Sequence, residues 1–553
     1  MKVCEMDFQT LISDLPSRKG VVHTLEKGVP VARPYIRLHE DLTAARATLQ
    51  SWGVKRGTRV GIHAPNSYQW LVHDLALLDI GAVPVAFTED FDGRLDDAVL
   101  GKYGVSLLLI PEAANGRFPN RPDHIAFLDA PSPNARVLEH CFPRHGDEDD
   151  HLTLVFSSGS SGGLKGLVIS RKGTCATLSP IMDAIGVHDR DRLLLFLPLS
   201  NFQQRFLCYA ALLYDFDLIV TDFVMLFTAM EKLHPTILLA PPVFYQMVHG
   251  EFNQGSVFRR TLRTVLARIA HLLPSVSLRH RITRLLFRDL YRQFGSRIRL
   301  LITGMAPIRR DIGSFFALAQ LPLCEAYGMV EAGVMAFRSA GSKEYASVGK
   351  PLRGVDFSIQ EDGELVVTRA APLTLRYFQC AEGENERIFL APGRIATGDI
   401  GRFGKNGDLF VLGRKGETIV TAAGQKIHPE IVERELNNCP DIASSVIFQR
   451  PNTAHLSCVV ALNDPANDIA RQRVQNFVNG LQSTRNISRF VEVIFADAPF
   501  SRENGMLRPN MKIDRRNVIA RYRGAGSKSV PGPRSRFRNP FGSREHAPKD
   551  ISG

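Results

Sequence analysis

Apolar runs that lack polar alternation, separated by helix-length segments, restrict this chain to a layered α/β fold. Thr58–Asn66 reads as a strand and turn, Tyr68–Asp79 as a helix and Gly81–Phe87 as the next strand. The pattern returns at Leu193–Leu197, Leu218–Val220, Thr236–Leu239 and Leu300–Thr303. A strand with one wet face alternates apolar and polar residues; several of these runs do not, as expected for strands covered on both faces. Helices alternating with such strands predict mostly parallel sheets layered with helices.

The texture changes after about residue 410. Gly413–Gly416 is short, polar and bounded by glycines; a hairpin-like stretch and the helix-like Pro429–Asn438 follow, then strand-like runs at Ser444–Phe448 and Cys458–Leu462. At 553 residues the chain is too long for one core. The expected division is a large N-terminal domain over 1–412, a hinge at 413–416 and a small mobile α+β domain over 417–522. The tail, 523–553, is rich in Gly, Pro, Ser and Arg and is predicted to be disordered.

Bulk composition narrows the class. A 44% hydrophobic and 22% charged content suits an ordinary soluble protein. No run of about 18 apolar residues predicts a transmembrane helix, and the N-terminus carries acids where a secretion signal needs an apolar stretch. The eight cysteines are scattered without metal-type spacing, as expected of free core thiols in a reducing cytosol, so a cytoplasmic protein is expected. The net charge is +12, and about half of it lies in Arg521–Gly553. A second basic block, Ser256–Arg299, holds eleven arginines and one acid, Asp289, interleaved with Leu, Ile, Val and Phe at helical spacing. It reads either as a solvated basic face or as a docking surface for an acidic carrier protein or an anionic membrane. No recognised nucleic-acid module accompanies it, so nucleic acid is not an expected partner.

The densest chemistry lies in Phe156–Gly166, where four serines and four glycines surround Lys165 directly after the apolar run Leu152–Phe156. Glycines let backbone N–H groups approach phosphate closely, and a lysine supplies a point charge for a terminal phosphate. A flexible linker has a similar composition, but the lysine and the preceding strand-like run favour nucleotide. The common phosphate loop needs Gly-Lys-Ser/Thr; here Gly166 follows Lys165, which disfavours that class.

Residues Ser157, Ser158, Gly159, Ser160, Ser161, Gly162, Lys165 and Gly166 resemble the Ser/Thr/Gly-rich loop of the acyl-adenylate-forming superfamily, with Leu164 in place of its proline. Further motifs follow in that family's order over roughly residues 36–520. Ile302–Pro307, containing Gly304, Ala306 and Pro307, resembles the turn that lies against adenine. Tyr327-Gly328-Met-Val330-Glu331 resembles the motif whose aromatic ring stacks on adenine and whose glutamate binds Mg²⁺; Glu331 is a sensible ligand, since a hard cation prefers carboxylate oxygen. Val330 stands where a threonine hydroxyl usually reaches the α-phosphate, a loss of about 0.5–1.5 kcal/mol if nothing replaces it. Thr397-Gly-Asp399 matches the aspartate that holds the ribose hydroxyls, Arg414 a second ribose contact, and Gly424–Pro429 the loop lining the thiol channel. Gly416 replaces the usual Asp or Lys pivot. Glu503–Arg516 resembles the terminal lysine motif, with Lys512 as the adenylation lysine, in the form nearest to long-chain acyl-CoA synthetases. Leu197–Arg205 resembles a motif of that subgroup, with Asn201 for its histidine and Gln204 for its glutamate; no acid is present to pair a substrate α-amine.

The resemblance implies a two-step ligase. A fatty or other lipophilic carboxylate and MgATP form acyl-AMP with release of pyrophosphate, and the acyl group then passes to a thiol. Lys512, Glu331 and Lys165 are the implied catalytic residues. ATP, Mg²⁺ and coenzyme A are the implied cofactors. A carrier protein's phosphopantetheine, or an amine, is the alternative acceptor. The off-pattern Leu164, Asn201, Val330 and Gly416 leave open a non-catalytic nucleotide-binding homologue.

Overall fold

The computed structural model describes residues 8–524, apart from 89–90, 92, 118–122, 139–147, 159–163, 253–255, 305, 307, 322, 341, 343, 345, 421–425, 451–455, 486–489 and 509–511. Two large sheets dominate. In the nine-stranded sheet, Leu323–Met329, Leu300–Gly304, Ile237–Leu239, Arg192–Leu195, Asp217–Val220 and Val21–Glu26 run parallel in that order. Antiparallel strands flank them at both edges: Gly333–Arg338 and Lys350–Pro351 at one, Val29–Pro34 at the other. In the seven-stranded sheet, His151–Ser158, Val83–Ala86, Arg59–Ile62, Leu107–Ile110 and Ile125–Phe127 are parallel. Leu164–Ser170 and Thr374–Phe378 add antiparallel strands at its edge.

The strands fall on the unalternated apolar runs, and their packing shows why. Leu193 and Leu195 enter the core between the two sheets, whereas Leu194 enters a second core on the opposite face. Leu107 and Leu109 likewise face the shared core, while Leu108 joins an aromatic cluster beyond the other sheet. Two helices fill the shared layer. Tyr68–Ile80 starts at Ser67, whose side chain accepts from the Trp70 N–H, and stops at Gly81 in the left-handed conformation (φ 78°). Phe202–Tyr214 starts at Asn201, whose carboxamide accepts from the Gln203 N–H.

A five-stranded antiparallel sheet follows, containing Asp356–Ile359, Glu364–Thr368, Arg394–Phe403, Phe389–Ala391 and Leu409–Arg414. The smaller C-terminal unit is built on Ile442–Gln449, Leu456–Leu462 and Phe490–Phe495. Helix Pro429–Leu436 packs on one face of that sheet through Val432 and Leu436, and Arg515–Tyr522 on the other through Val518 and Tyr522. The fold is thus α/β with a small α+β unit, as expected. The described cysteines, 175, 208, 324, 380, 439 and 458, are free thiols, and all but Cys380 are buried.

Candidate active site

Sheet register creates one wall. Strands Arg394–Phe403 and Leu409–Arg414 pair antiparallel, setting Asp399 opposite Arg414. Arg414 donates through Nε to Asp399 Oδ1 (3.0 Å) and through Nη1 to the Thr397 carbonyl (3.0 Å). Tyr327, on the nine-stranded sheet, donates its hydroxyl to Asp399 Oδ2 (2.6 Å). Burial pushes the Asp399 carboxyl above its usual range, and the Arg414 cation and Tyr327 hydroxyl pull it back. The tyrosine sits at a bulge in this strand pair, where the register shifts between Tyr327, opposite Ala336, and Gly328, opposite Val334. A Cβ at position 328 would lie 2.5 Å from the Gly333 carbonyl, so only glycine fits there.

A second part of the lining joins residues far apart in sequence. Tyr377, on the edge strand paired with Leu164–Ser170, donates its hydroxyl to Glu331 Oε1 (2.8 Å). The Lys165 ammonium lies 4.9 Å from the Tyr377 ring centroid and is ion-paired with Glu384. That cation holds the Glu384 carboxyl below its usual range. Any anion entering there would have to compete with the Glu384 carboxylate for this lysine.

Lys512 enters from the C-terminal unit. Its carbonyl accepts from the Arg508 N–H (2.8 Å), and Leu507 and Ile513 form a bridge around it. The side chain retains solvent access, yet protein atoms enclose it closely enough to lower its pKa. Burial is the main cause and the Arg414 cation adds to it, while Asp399 and Glu331 oppose the shift. Lys512 is thus within electrostatic reach of both parts of the lining.

The segment joining the two parts is tightly held. A Cβ on Gly413 would lie 2.4 Å from Glu430 Oε2, while Glu430 Oε1 accepts from the Arg414 N–H (3.0 Å). Lys415 bridges Asp362 and Glu364, each at 2.6 Å. Arg515 pairs with Glu433 (2.7 Å) and Glu417 (3.0 Å). Gly416, which stands where the pivot residue is expected, sits in the short 3₁₀ turn Lys415–Glu417 without positive φ, and a Cβ there would meet nothing. This position does not demand glycine.

One cavity of about 3440 Å³ is lined by Ser157, Lys165, Ala306, Tyr327, Gly328, Glu331, Asp399, Arg414 and Lys512. Nine of the sequence-predicted residues are thereby brought together. Gly304 ends the strand beside Ala326. Gly159, Ser160, Ser161, Gly162, Pro307, Gly424 and the Ser158 side chain lie outside the described residues. Sequence reasoning missed Tyr377, Glu384 and Glu430. None sits in a recognisable string; strand pairing and side-chain reach bring them to the cleft. Among the described residues no group of three or more His, Cys, Asp or Glu is arranged to hold a metal ion. A lone carboxylate such as Glu331 fits Mg²⁺ carried in on nucleotide phosphates, the usual mode for that ion.

The family model of the AMP-binding enzymes matches residues 32–371, more than half of the chain, and the protein belongs to that family. Its relatives include the long-chain-fatty-acid–CoA ligase FadD15 of Mycobacterium bovis, 27% identical over 448 residues, covering 74% of this chain and 73% of that protein. Fatty acyl-CoA synthetase A of Dictyostelium discoideum is 21% identical over 558 residues, covering 86% and 82%. Among solved structures, the amide bond synthetase McbA of Marinactinospora thermotolerans superposes with a TM-score of 0.72 at 18% identity, covering 93% of this chain and 99% of that one. The o-succinylbenzoate coenzyme A synthetase of Bacillus subtilis, in complex with AMP, gives 0.70 at 16% identity, covering 92% and 97%. These two likenesses establish the fold.

Proposed function

We propose that this enzyme activates a fatty or other lipophilic carboxylic acid with ATP and transfers the acyl group to coenzyme A. The observation that carries the reading is that Lys512, Lys165, Glu331, Asp399 and Arg414 line one cavity. In the first step a carboxylate oxygen bonds to the α-phosphorus and the bond to the β-phosphate bridge breaks, releasing pyrophosphate. Two anions must meet, so charge neutralisation and positioning supply most of the rate. Lys512 would neutralise the α-phosphate and the acyl carboxylate, Lys165 the outgoing phosphates. Asp399 and Arg414 would hold the ribose, and Tyr327 the adenine. Mg²⁺, held by Glu331, would supply further neutralisation of phosphate charge. In the second step a thiolate bonds to the acyl carbon and AMP leaves.

The same cavity is also bordered by Pro198, Pro241, Val243, Met247, Ile308 and Ile312, apolar surface that an acyl group could cover. We further propose that residues 417–522 turn about 413–416 between the steps, carrying Lys512 out of the cleft. Closure of this kind commonly gates turnover. Gly416→Pro should then impair at least one half-reaction.

Lys512→Ala tests the assignment. Acid-dependent exchange of pyrophosphate into ATP should fall by about 10²–10³-fold, while thiolysis of supplied acyl-adenylate changes little. Equal loss in both steps would remove Lys512 from its role. Repeating the exchange over acids of graded length, and the transfer with coenzyme A, a carrier protein and an amine, identifies substrate and acceptor. No exchange with any acid would favour a non-catalytic nucleotide-binding protein.

A further inference from the structure

Helix Val257–His271 is packed inside out. Its small residues Ala267 and Ala270 face the protein and are buried. Its large ones face water: Phe258 (74% exposed), Leu262, Val265, Leu266 and Ile269, continuing to Leu272 (83% exposed) just past the C-terminus. At about 100° per residue these six side chains fall within roughly 120° of arc, with Ala267 opposite it and Ala270 to one side. Exposed Arg259 and Arg268 flank the stripe on either side. The next helix, Val276–Leu286, adds exposed Val276, Leu278 and Leu285 together with exposed Arg281 and Arg284. The first helix is anchored through Arg263, whose guanidinium stacks on Phe252 at 4.0 Å, and through His271, bonded to the Leu318 carbonyl at 3.1 Å.

An amphipathic helix in a soluble protein normally turns its apolar stripe to the core. Here the buried Ala267 and Ala270 face the protein, and among the described residues the outward stripe stays exposed. We infer that this pair of helices docks on an anionic lipid surface, inserting the Phe258–Leu272 stripe among acyl chains while the flanking arginines meet the headgroups. Charge selects this occupant. The two helices carry seven arginines and no acid, so two copies of this surface would repel each other. An acidic protein would satisfy the arginines but would leave most of a six-residue apolar stripe without a complementary face. A bilayer interface satisfies both. Among the described residues no helix is long and apolar enough to cross a membrane, so the contact is interfacial. The helix adjoins the cleft on the side away from the stripe, where Arg260, and Met247 of the preceding helix, border the cavity.

The test is sedimentation of the full-length protein with vesicles of phosphatidylcholine alone or mixed with phosphatidylglycerol. Neither nucleotide nor acid is needed, so the result is independent of the proposed reaction. Binding to the anionic vesicles should exceed binding to neutral ones by about tenfold or more and fall with salt. Leu262→Asp with Ile269→Asp should weaken it by about tenfold or more, and Arg259→Gln with Arg268→Gln by roughly five- to thirtyfold. Leu262→Trp should shift its emission to the blue on anionic vesicles, a readout that stands even if the paired aspartates disturb folding. Four outcomes would overturn the inference: undiminished binding by the paired aspartate variant, which would assign the contact to the basic stretch Arg521–Gly553; no vesicle binding; capture of an acidic carrier protein in place of vesicles; or a dimer in solution that the same aspartates dissociate.

Discussion

Two clusters in this molecule share the same inner chemistry and differ only in whether one side is open. In the first, Asp74 accepts from the Tyr209 hydroxyl at 2.6 Å and pairs with Arg205 at 3.3 Å, with Thr153 accepting from the same guanidinium. In the second, Asp399 accepts from the Tyr327 hydroxyl at 2.6 Å and pairs with Arg414 at 3.0 Å. Burial raises both carboxyls above their usual range. The Arg205 and Asp74 side chains are 0% exposed, whereas the Arg414 side chain is 49% exposed and borders the cavity. A closed cluster pins helix Phe202–Tyr214 to helix Tyr68–Ile80 and to the seven-stranded sheet. An open one can trade a partner for a ligand hydroxyl. Both residues sit in motif-like strings; the contrast separates Arg205, sealed in a structural cluster, from Asp399, whose cluster opens onto the cavity.

Removing one partner of the closed cluster should have the largest effect. Arg205→Leu strands a buried Asp74 and should cost about 3–5 kcal/mol of stability in urea unfolding. Replacing both charges with apolar residues should cost much less; equal losses would show that packing, not charge, dominates there. The open cluster should respond in the opposite sense. Asp399→Ala should weaken ATP binding by about 1.5–3 kcal/mol in calorimetry and move the unfolding midpoint far less than Arg205→Leu does. A large stability loss with intact ATP binding would erase the distinction. Tyr377→Phe removes one hydrogen bond from Glu331 and should cost about 0.5–1.5 kcal/mol in MgATP affinity.

The smallest effect concerns pH. Burial and the neighbouring Glu430 push the Glu417 carboxyl up to about 7 from 4.5, against the pull of Arg515. The folded chain therefore holds this proton more tightly than the unfolded one. The stability linked to Glu417 is full below about 4.5, declines as pH rises and levels off above about 7. Glu417→Gln should flatten that decline in melting curves across the window; an unchanged slope would assign it to another group.

Much of the candidate site was legible because its chemistry is written in short strings. Ser157 and Lys165 follow an apolar run, Tyr327 and Glu331 share one turn, and Asp399 and Lys512 each sit within a motif. Strand positions were legible because burial on both faces erases polar alternation, as at Leu193–Leu195. Tyr377, Glu384 and Glu430 were not legible. Their roles arise from an edge-strand register, a neighbouring short helix and a helix start that brings a carboxylate against Gly413. The basic block at residues 256–299 was legible as helical and amphipathic, but which side of it faces the protein was not.

Local chemistry is additive along the chain, so sequence alone determined the α/β layering, the nucleotide-type loop, the adenylate-forming motifs and the candidate lysine. Tertiary structure alone decided which charges are sealed and which open onto the cleft, what Lys165 and Glu331 hold before substrate arrives, and that Phe258–Leu272 turns outward. Those properties depend on what lies across a gap from each side chain, and that neighbour is set by sheet register and helix packing hundreds of residues away.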